Sequence, residues 1–239
     1  MNLLKLKALL SSAILFFITQ DAVANDLKQT KENFSAEVVK KYSYHYLKYL
    51  PKNYDGKTKF PLLLFLHGAG ERGNNLEKVA VHGPPKLIKQ GRQFPFIVIS
   101  PQCPKESRWD PNALNAMLDH IIDSHAVDES RIYCTGLSMG GFGTWALGGS
   151  NPNRFAAFAP ICGGGGWMDA FQMWRKPIWV FHGDADSVVP LEESERMVRA
   201  LKRRGGKPKF TIYKGVNHDS WTETYNNPKL YEWFLSHKK

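Results

Sequence analysis

The fold of this chain is decided by the stretch Gly136-Leu137-Ser138-Met139-Gly140. An apolar segment at residues 132–135 predicts a strand before it, and residues 139–147 can form a helix after it. Glycines two positions before and after the serine allow a sharp turn from strand to helix, where neighbouring backbones approach closely. The motif alone is short enough to arise by chance, but its strand–helix context makes it specific. It predicts a nucleophilic serine, Ser138, exposed at the N-terminal end of a helix.

Short apolar runs recur along the chain and alternate with helical patterns. The runs are residues 42–50, 61–66, 96–100, 155–161, 178–181 and 210–213. Apolar runs of this length are typical of strands that are buried on both faces of a parallel sheet. Residues 191–204 begin with glutamates and end with basic residues, an order that complements the dipole of a helix. The alternation predicts one α/β domain with a mostly parallel, doubly wound sheet over residues 25–239.

A serine hydroxyl needs a base to become a nucleophile, and the base needs a carboxylate to orient it. In folds with this kind of serine turn, the carboxylate and then the histidine follow the serine along the chain. A loop with Asp184 and Asp186 follows the run at 178–181, and a loop with His218 follows the run at 210–213. The candidate catalytic residues are therefore Ser138, His218 and one of these two aspartates.

Ester or amide hydrolysis also needs two backbone N–H donors for the oxyanion that develops during the reaction. One candidate is the amide of Met139, directly after the serine. The second is the amide of Ala69, in the glycine-containing loop at residues 67–73. A phosphate-binding loop is the alternative interpretation, but the loop has no lysine at the spacing that such loops require.

Five segments together resemble a known family, the bacterial "predicted peptidase" esterases of the α/β-hydrolase superfamily, which are close to the phospholipase/carboxylesterase and feruloyl-esterase-like groups. The segments are Leu66-His67-Gly68-Ala69-Gly70-Glu71-Arg72-Gly73, Ser100-Pro101-Gln102-Cys103-Pro104, the stretch around Ser138, Pro160-Ile161-Cys162-Gly163-Gly164-Gly165 and His218-Asp219-Ser220-Trp221. The resemblance implies an eight-stranded type of sheet and carboxylic ester hydrolysis without a cofactor. It also implies that Asp186, rather than Asp184, is the acid of a Ser138–His218–Asp186 triad.

The connection at residues 163–177 is too short for an inserted cap domain. We therefore expect an open, shallow site for short-chain acyl esters or esters on an oligosaccharide. Trp109, Trp167 and Trp221, on loops near the carboxyl ends of the strands, are candidates to bind substrate, with core packing as the alternative. Arg72 either meets an acidic substrate or pairs with a nearby carboxylate. A serine peptidase or amidase is the second functional class, and a non-catalytic binding module on the same fold is the third.

The N-terminal residues have the pattern of an export signal. Lys5 and Lys7 precede an apolar run at residues 8–18, and Ala22-Val23-Ala24 follows as a cleavage site. The apolar run is shorter than a membrane-spanning helix requires. We expect residues 1–24 to be a signal peptide, the mature chain to begin at Asn25 without a membrane span, and the protein to be periplasmic or secreted.

The formal net charge of +10 predicts a loose attraction to anionic polymers. Nucleic acid is not an expected partner, because export removes the chain from the cytoplasm and no basic helix or aromatic–basic motif is present. No cysteine, histidine or carboxylate spacing is that of a metal site, so we expect neither a metal nor another cofactor. Of the three cysteines, Cys134 lies within a predicted strand, whereas Cys103 and Cys162 are the pair expected to bond if any disulfide forms.

Overall fold

The computed structural model describes residues 31–239, so the predicted signal peptide at residues 1–24 and the predicted start at Asn25 lie outside the described residues. Residues 31–40 contain no helix or strand, and their side chains are exposed. Residues 41–239 form a separate compact unit that contains every helix and strand described below. No helix within residues 31–239 has the length and apolar character needed to cross a bilayer.

A seven-stranded sheet forms the centre of this unit, with the strand order β1-β3-β2-β4-β5-β6-β7. The strands are β1 (His45–Tyr49), β2 (Phe60–Leu66), β3 (Ile97–Gln102), β4 (Val127–Leu137), β5 (Ala157–Ile161), β6 (Trp179–Gly183) and β7 (Lys209–Tyr213). Only β1 is antiparallel to its neighbour, and the other pairs are parallel. The predicted mostly parallel α/β sheet is therefore confirmed, with one strand fewer in the described residues than an eight-stranded sheet has.

Seven α-helices lie within residues 41–239, five of them between strands and the last two after β7. They are α1 (Gly83–Lys89), α2 (Pro111–Ser124), α3 (Met139–Ser150), α4 (Trp167–Met173), α5 (Leu191–Arg203), α6 (Ser220–Asn226) and α7 (Pro228–Leu235). Short 3₁₀ segments lie at Ala69–Glu71, Leu76–Val81 and Pro152–Arg154. The segment at residues 163–177 contains only the short α4, so the domain has no inserted cap.

The apolar runs form strands because the core continues on both faces of the sheet. In β2, Leu62, Leu64 and Leu66 belong to one buried cluster, with residues of α2, α3 and α5. Leu63 and Phe65 belong to the other, with residues of α1, α6 and α7. Successive side chains of a strand point to opposite faces, so a doubly covered strand needs an apolar residue at every position.

Two features of the fold could not be read from apolar runs. Strand β4 begins at Val127, five residues before the predicted run, because Val127 pairs with Phe60 of β2 although the residues that follow are polar. Helices α1, α4 and α6 have seven residues each, about two turns, which is too short for a clear helical period. Sequence periodicity therefore detects the long helices and the central strands best.

The three cysteines are free thiols with buried side chains. Cys103 follows β3 and Cys162 follows β5, and β2 and β4 lie between those strands in the sheet. Three inter-strand steps amount to about 14 Å, whereas the Cα atoms of a disulfide lie within about 7 Å. The Cys103–Cys162 bond is thus not formed. Burial raises the pKa of Cys103 to about 11 and the pKa values of Cys134 and Cys162 to about 12.

We predict that the native protein reacts slowly with a disulfide reagent at neutral pH, because the thiolate is the reactive form. In denaturant without reductant, all three thiols should titrate. The measurement is absorbance at the end point of thiol titration, with the fully reduced protein as the control. A single thiol in the unreduced denatured protein would show that two cysteines are bonded.

Candidate active site

Ser138 lies on the one-residue turn between the end of β4 at Leu137 and the start of α3 at Met139. Its backbone has φ 51° and ψ −118°, a conformation that residues with a side chain rarely adopt. The Ser138 N–H donates a 3.0 Å hydrogen bond to the carbonyl oxygen of Ile161 in β5. This bond to the neighbouring strand helps to hold the strained turn.

The two glycines of the motif are required by close backbone contacts. A Cβ atom at Gly140 would overlap the carbonyl oxygen of Leu66 at the end of β2, and a Cβ at Gly136 would overlap the carbonyl oxygen of Gly140. Helix α3 can therefore begin directly against the sheet only if both positions lack a side chain.

Ser138, His218 and Asp186 are joined by hydrogen bonds. His218 Nε2 lies 3.0 Å from Ser138 Oγ, and His218 Nδ1 lies 2.7 Å from Asp186 Oδ2. With Nδ1–H donating to the carboxylate, Nε2 is left as the acceptor for the serine hydroxyl. The three residues come from loops after β4, β7 and β6, which is the arrangement expected at the carboxyl ends of parallel strands.

The carboxylate of Asp186 is fully buried, but it is well supplied with donors. Its Oδ1 accepts 2.9 Å hydrogen bonds from the amides of Val188 and Val189, and Oδ2 lies near His218 Nδ1 and 3.2 Å from His182 Nε2. Burial opposes ionisation, but the hydrogen bonds from His218 and the two amides outweigh it and lower the pKa of Asp186 below its usual value. The group is therefore ionised at neutral pH.

Asp184 has a different partner. Its Oδ1 accepts a 2.6 Å hydrogen bond from the N–H of Gly215, so it connects the loop after β6 to the loop after β7. Asn217 makes a second connection, because its Oδ1 accepts from the amide and hydroxyl of Ser187 and from the amide of His218. These contacts fix the distance between the loops that carry Asp186 and His218.

The amides of Ala69 and Met139 occupy comparable positions. Each is the first residue of a helical segment, where an N–H has no acceptor in a preceding turn. Ala69 lines the same cleft as Ser138 and Met139. Ala69 and Met139 thus line the same cleft as Ser138, in which an oxyanion would need donors.

The loop that carries Ala69 is held by side chains on several sides. Arg72 Nε donates to the carbonyl oxygen of Ala69 at 3.0 Å, and Trp109 Nε1 donates to that of His67 at 3.1 Å. Gln102 Nε2 donates to the carbonyl oxygen of Glu71 at 2.8 Å. The loop therefore has its conformation before any substrate binds.

His67 is a fixed structural element of this loop. Its Nδ1 lies 2.6 Å from the carbonyl oxygen of Gly68, and its Nε2 lies 3.0 Å from the amide nitrogen of Cys103. Burial lowers the pKa of His67 to about 4, so the ring is neutral, with Nδ1–H as donor and Nε2 as acceptor. His182 similarly contacts Ser194 Oγ and the carbonyl oxygen of Val189. Both histidines thus hold loops at the ends of strands.

An open cleft of about 540 Å³ lies beside Ser138. Trp109 lines it with 6% of its surface exposed, in addition to packing in the core. Trp167 is 64% exposed at the start of α4 and does not line this cleft. Trp221 packs edge-on against the His218 ring, with centroids 5.1 Å apart, and lines a separate cavity with His82. Of the three predicted tryptophans, the structure brings only Trp109 to the cleft.

Several cleft residues were missed by the sequence analysis. They are Arg108, Phe142, Gly143, Ala146, Gly165, Gly166 and Asp169. Met139, Phe142 and Ala146 follow one another at helical spacing after the serine, so the face of α3 that borders the cleft was readable in principle. No comparable sequence spacing indicates that Arg108 and Asp169 line the cleft.

One group of His, Cys, Asp and Glu within residues 31–239 has ligand atoms close enough to hold a metal ion. It consists of Cys162, Asp186 and His218, whose ligand atoms lie within 4.8 Å of one another. The sequence spacing did not indicate this group, because the three residues come from three loops. His218 and Asp186 are already hydrogen-bonded to each other and the thiol has a raised pKa, so a bound metal would have to displace that bond and a proton.

Parts of this chain are similar in sequence to known proteins. The model of the Prolyl oligopeptidase family matches residues 166–238, a range that includes Asp186 and His218 but not Ser138. A bifunctional acetylxylan esterase/xylanase of Neocallimastix patriciarum is 28% identical over 163 residues, which are 63% of this chain and 22% of that protein. Feruloyl esterase B of Thermothelomyces thermophilus is 31% identical over 137 residues, which are 48% of this chain and 42% of that protein.

Among solved structures, a thermostable esterase superimposes with a TM-score of 0.71 and 35% identity. The match covers 81% of this chain and 59% of that one. This chain therefore spans less than half the length of either curated relative described above, and under two thirds of the solved structure.

We predict that Gly140→Ala lowers the free energy of unfolding by about 3 kcal/mol or more, because the new methyl group overlaps the Leu66 carbonyl oxygen. The loss would oppose the gain of up to ~1 kcal/mol that alanine brings to a helix. Gly70→Ala is the matched control, since a Cβ there has no atom within 4 Å. Urea unfolding measures both, and equal stabilities of the two variants would contradict the contact.

Proposed function

We propose that this chain, whose fold is that of the α/β-hydrolase superfamily, is a serine carboxylic-ester hydrolase with Ser138, His218 and Asp186 as its catalytic residues. The observation that carries the proposal is the unbroken hydrogen-bonded series from Ser138 Oγ through His218 to the buried Asp186, beside an open cleft. The esterases among its relatives support the same reaction class.

The first half of the proposed reaction forms an acyl-enzyme. Ser138 Oγ attacks the carbonyl carbon of the ester while its proton moves to His218 Nε2, 3.0 Å away. Asp186 keeps the imidazole in the required tautomer and stabilises the imidazolium that forms. The tetrahedral intermediate then collapses, the bond to the alcohol oxygen breaks, and His218 donates its proton to that oxygen.

Charge develops on the former carbonyl oxygen, and we propose that the amides of Ala69 and Met139 stabilise it. A single donor of this kind typically contributes about 10²- to 10³-fold in rate. The fixed loop of Ala69 supports the assignment, since its donor needs no rearrangement during the reaction. In the second half, His218 takes a proton from water while the water oxygen attacks the acyl carbon. The bond to Ser138 Oγ then breaks, His218 returns the proton to that oxygen, and the carboxylic acid product leaves.

We propose short-chain acyl esters or carbohydrate-linked esters as substrates. The open cleft without a cap offers little wall to bury a long acyl chain, and two relatives are named as an acetylxylan esterase and a feruloyl esterase. We also propose that residues 1–24 direct the chain to the periplasm or the exterior, where such esters on polymers occur. The positive net charge supports a loose attraction to anionic polymers there.

A serine peptidase or amidase is the second candidate, favoured by the match of residues 166–238 to the Prolyl oligopeptidase family. Amide hydrolysis uses the same residues, but His218 must protonate an amine as it leaves. An open site positions that proton less firmly than a closed one, which is why we place esters first. Matched ester and amide substrates distinguish the two.

We predict that Ser138→Ala lowers kcat/KM for acetyl and butyryl esters by about 10³-fold or more, while the unfolding curve changes little. A fluorophosphonate probe should label Ser138, as read by peptide mass spectrometry, and matched palmitoyl esters should be cleaved poorly. Ser138→Ala is the control for the labelling experiment, because it lacks the hydroxyl that reacts with the probe and should not be labelled. Normal turnover by Ser138→Ala would exclude the proposed mechanism, and faster cleavage of the matched amide would favour the peptidase.

We further predict that Asp186→Asn lowers kcat by about 10⁴-fold, because the amide cannot stabilise the imidazolium or hold the correct tautomer. Asp184→Asn is the matched control. Its side-chain oxygen can still accept from the Gly215 amide, so the loss should stay below about tenfold. Steady-state kinetics on one ester measure both. A larger loss at position 184 would reverse the assignment.

A further inference from the structure

Two arginines line the cleft beside Ser138, and neither is neutralised by a described residue. Arg72 is half-buried, and Arg108 is exposed. Neither forms an ion pair with any carboxylate within residues 31–239, and Arg108 has no hydrogen bond there either. Both arginines thus adjoin the open space beside the candidate nucleophile.

Arg72 is held in place by its neighbours. Its Nε donates to the carbonyl oxygen of Ala69 at 3.0 Å, and one terminal nitrogen donates to that of Ser107 at 3.2 Å. Ser107 directly precedes Arg108, so the first guanidinium contacts the segment that carries the second. A guanidinium that is fixed by carbonyl groups keeps its full positive charge and retains N–H donors for another acceptor.

The other charged groups around the cleft do not cancel this charge. Asp169 lines the cleft, but its Oδ2 accepts from the amide of Gly166 at 2.8 Å and neither arginine is within ion-pair distance of it. Glu71 has little exposed surface and does not line the cleft. Two arginines and one aspartate thus line the cleft of about 540 Å³, so the formal charge of its lining residues is positive.

We propose that the cleft recognises substrates with a carboxylate near the reacting ester, and that Arg108 and Arg72 bind this carboxylate. The inference rests on the proposed function, since it names the substrate class of the same site. Guanidinium groups bind carboxylates through paired N–H donors, and Arg72 lines the cleft beside Ser138 with its side chain held by two carbonyl groups. Arg108 is the specificity-determining residue of the pair, because Arg72 also supports the loop of Ala69.

The test compares esters that differ in one charge, and each kcat/KM is divided by the rate constant for alkaline hydrolysis of the same ester so that differences in intrinsic reactivity cancel. For a carboxylate in the alcohol part, the pair is para-acetoxybenzoate and its methyl ester. For a carboxylate in the acyl part, it is the para-nitrophenyl monoester of glutaric acid and the corresponding methyl ester. The ratio of kcat/KM within each pair reports recognition of the carboxylate and tells which side of the ester carries it.

We expect the anionic member of one pair to be cleaved with a kcat/KM about fivefold higher, the size of one partly exposed ion pair. Arg108→Gln should bring the ratio to about one, mainly through KM, and Arg108→Lys should restore part of it. Arg203→Gln is the matched control, because it removes the same charge at an exposed position at the end of α5 that does not line the cleft. Added salt should reduce the preference of the unaltered protein.

A ratio of one or less in both pairs, or a ratio that Arg108→Gln leaves unchanged, would overturn the proposal. If no ester of either pair is cleaved, the proposed function fails separately, and binding decides the arginine proposal. Calorimetric titration of Ser138→Ala with para-acetoxybenzoate and its methyl ester then gives the answer. Tighter binding of the anion that Arg108→Gln removes supports recognition of a carboxylate, and equal binding of the two compounds overturns it.

Discussion

The contact between the end of β2 and the start of α3 is the constraint on which the site depends. Gly140 lies against the carbonyl groups of Leu66 and His67, so no side chain fits between helix and strand. The contact brings together the two segments that carry the amides of Met139 and Ala69. It also holds Ser138 at φ 51°, a conformation that costs of order 1–3 kcal/mol. The surrounding core, buried on both faces of the sheet, compensates for this strain.

The opposite side of the site depends on a buried charge. A buried ionised carboxylate is tolerated only if several donors surround it, and Asp186 has two backbone amides and the ring of His218. Those donors sit on loops that Asp184 and Asn217 connect to each other. Two features therefore hold the site in place before substrate binds. The backbone contact at Gly140 positions Ser138, and the hydrogen-bonded pair of loops positions Asp186 and His218.

The sheet and the serine turn could be predicted because they depend on local rules: apolar residues at successive positions, and glycines where backbones touch. The choice between Asp184 and Asp186 could not be made from spacing, since both lie on one loop and only their partners, Gly215 and His218, distinguish them. Trp167 and Trp221 were candidates to bind substrate because they are aromatic residues in predicted loops. Neither lines the cleft beside Ser138, since a loop position does not determine which cavity a side chain lines. The unpaired state of Arg108 is likewise a property of three-dimensional surroundings.

The shape of the cleft explains why polar groups, rather than apolar area, would set its selectivity. A fully buried methylene contributes about 0.8 kcal/mol to binding, but an acyl chain in an uncapped cleft stays partly in water and gains less with each carbon. A charged group near the reacting carbonyl gains most where opposing charge is already fixed, because no side-chain freedom is lost on binding. Arg72, held by the carbonyl groups of Ala69 and Ser107, meets that condition. Arg72 thus supports the loop of Ala69 and also places positive charge in the cleft, so in the proposed mechanism one side chain links positioning of the reacting carbonyl to recognition of the substrate.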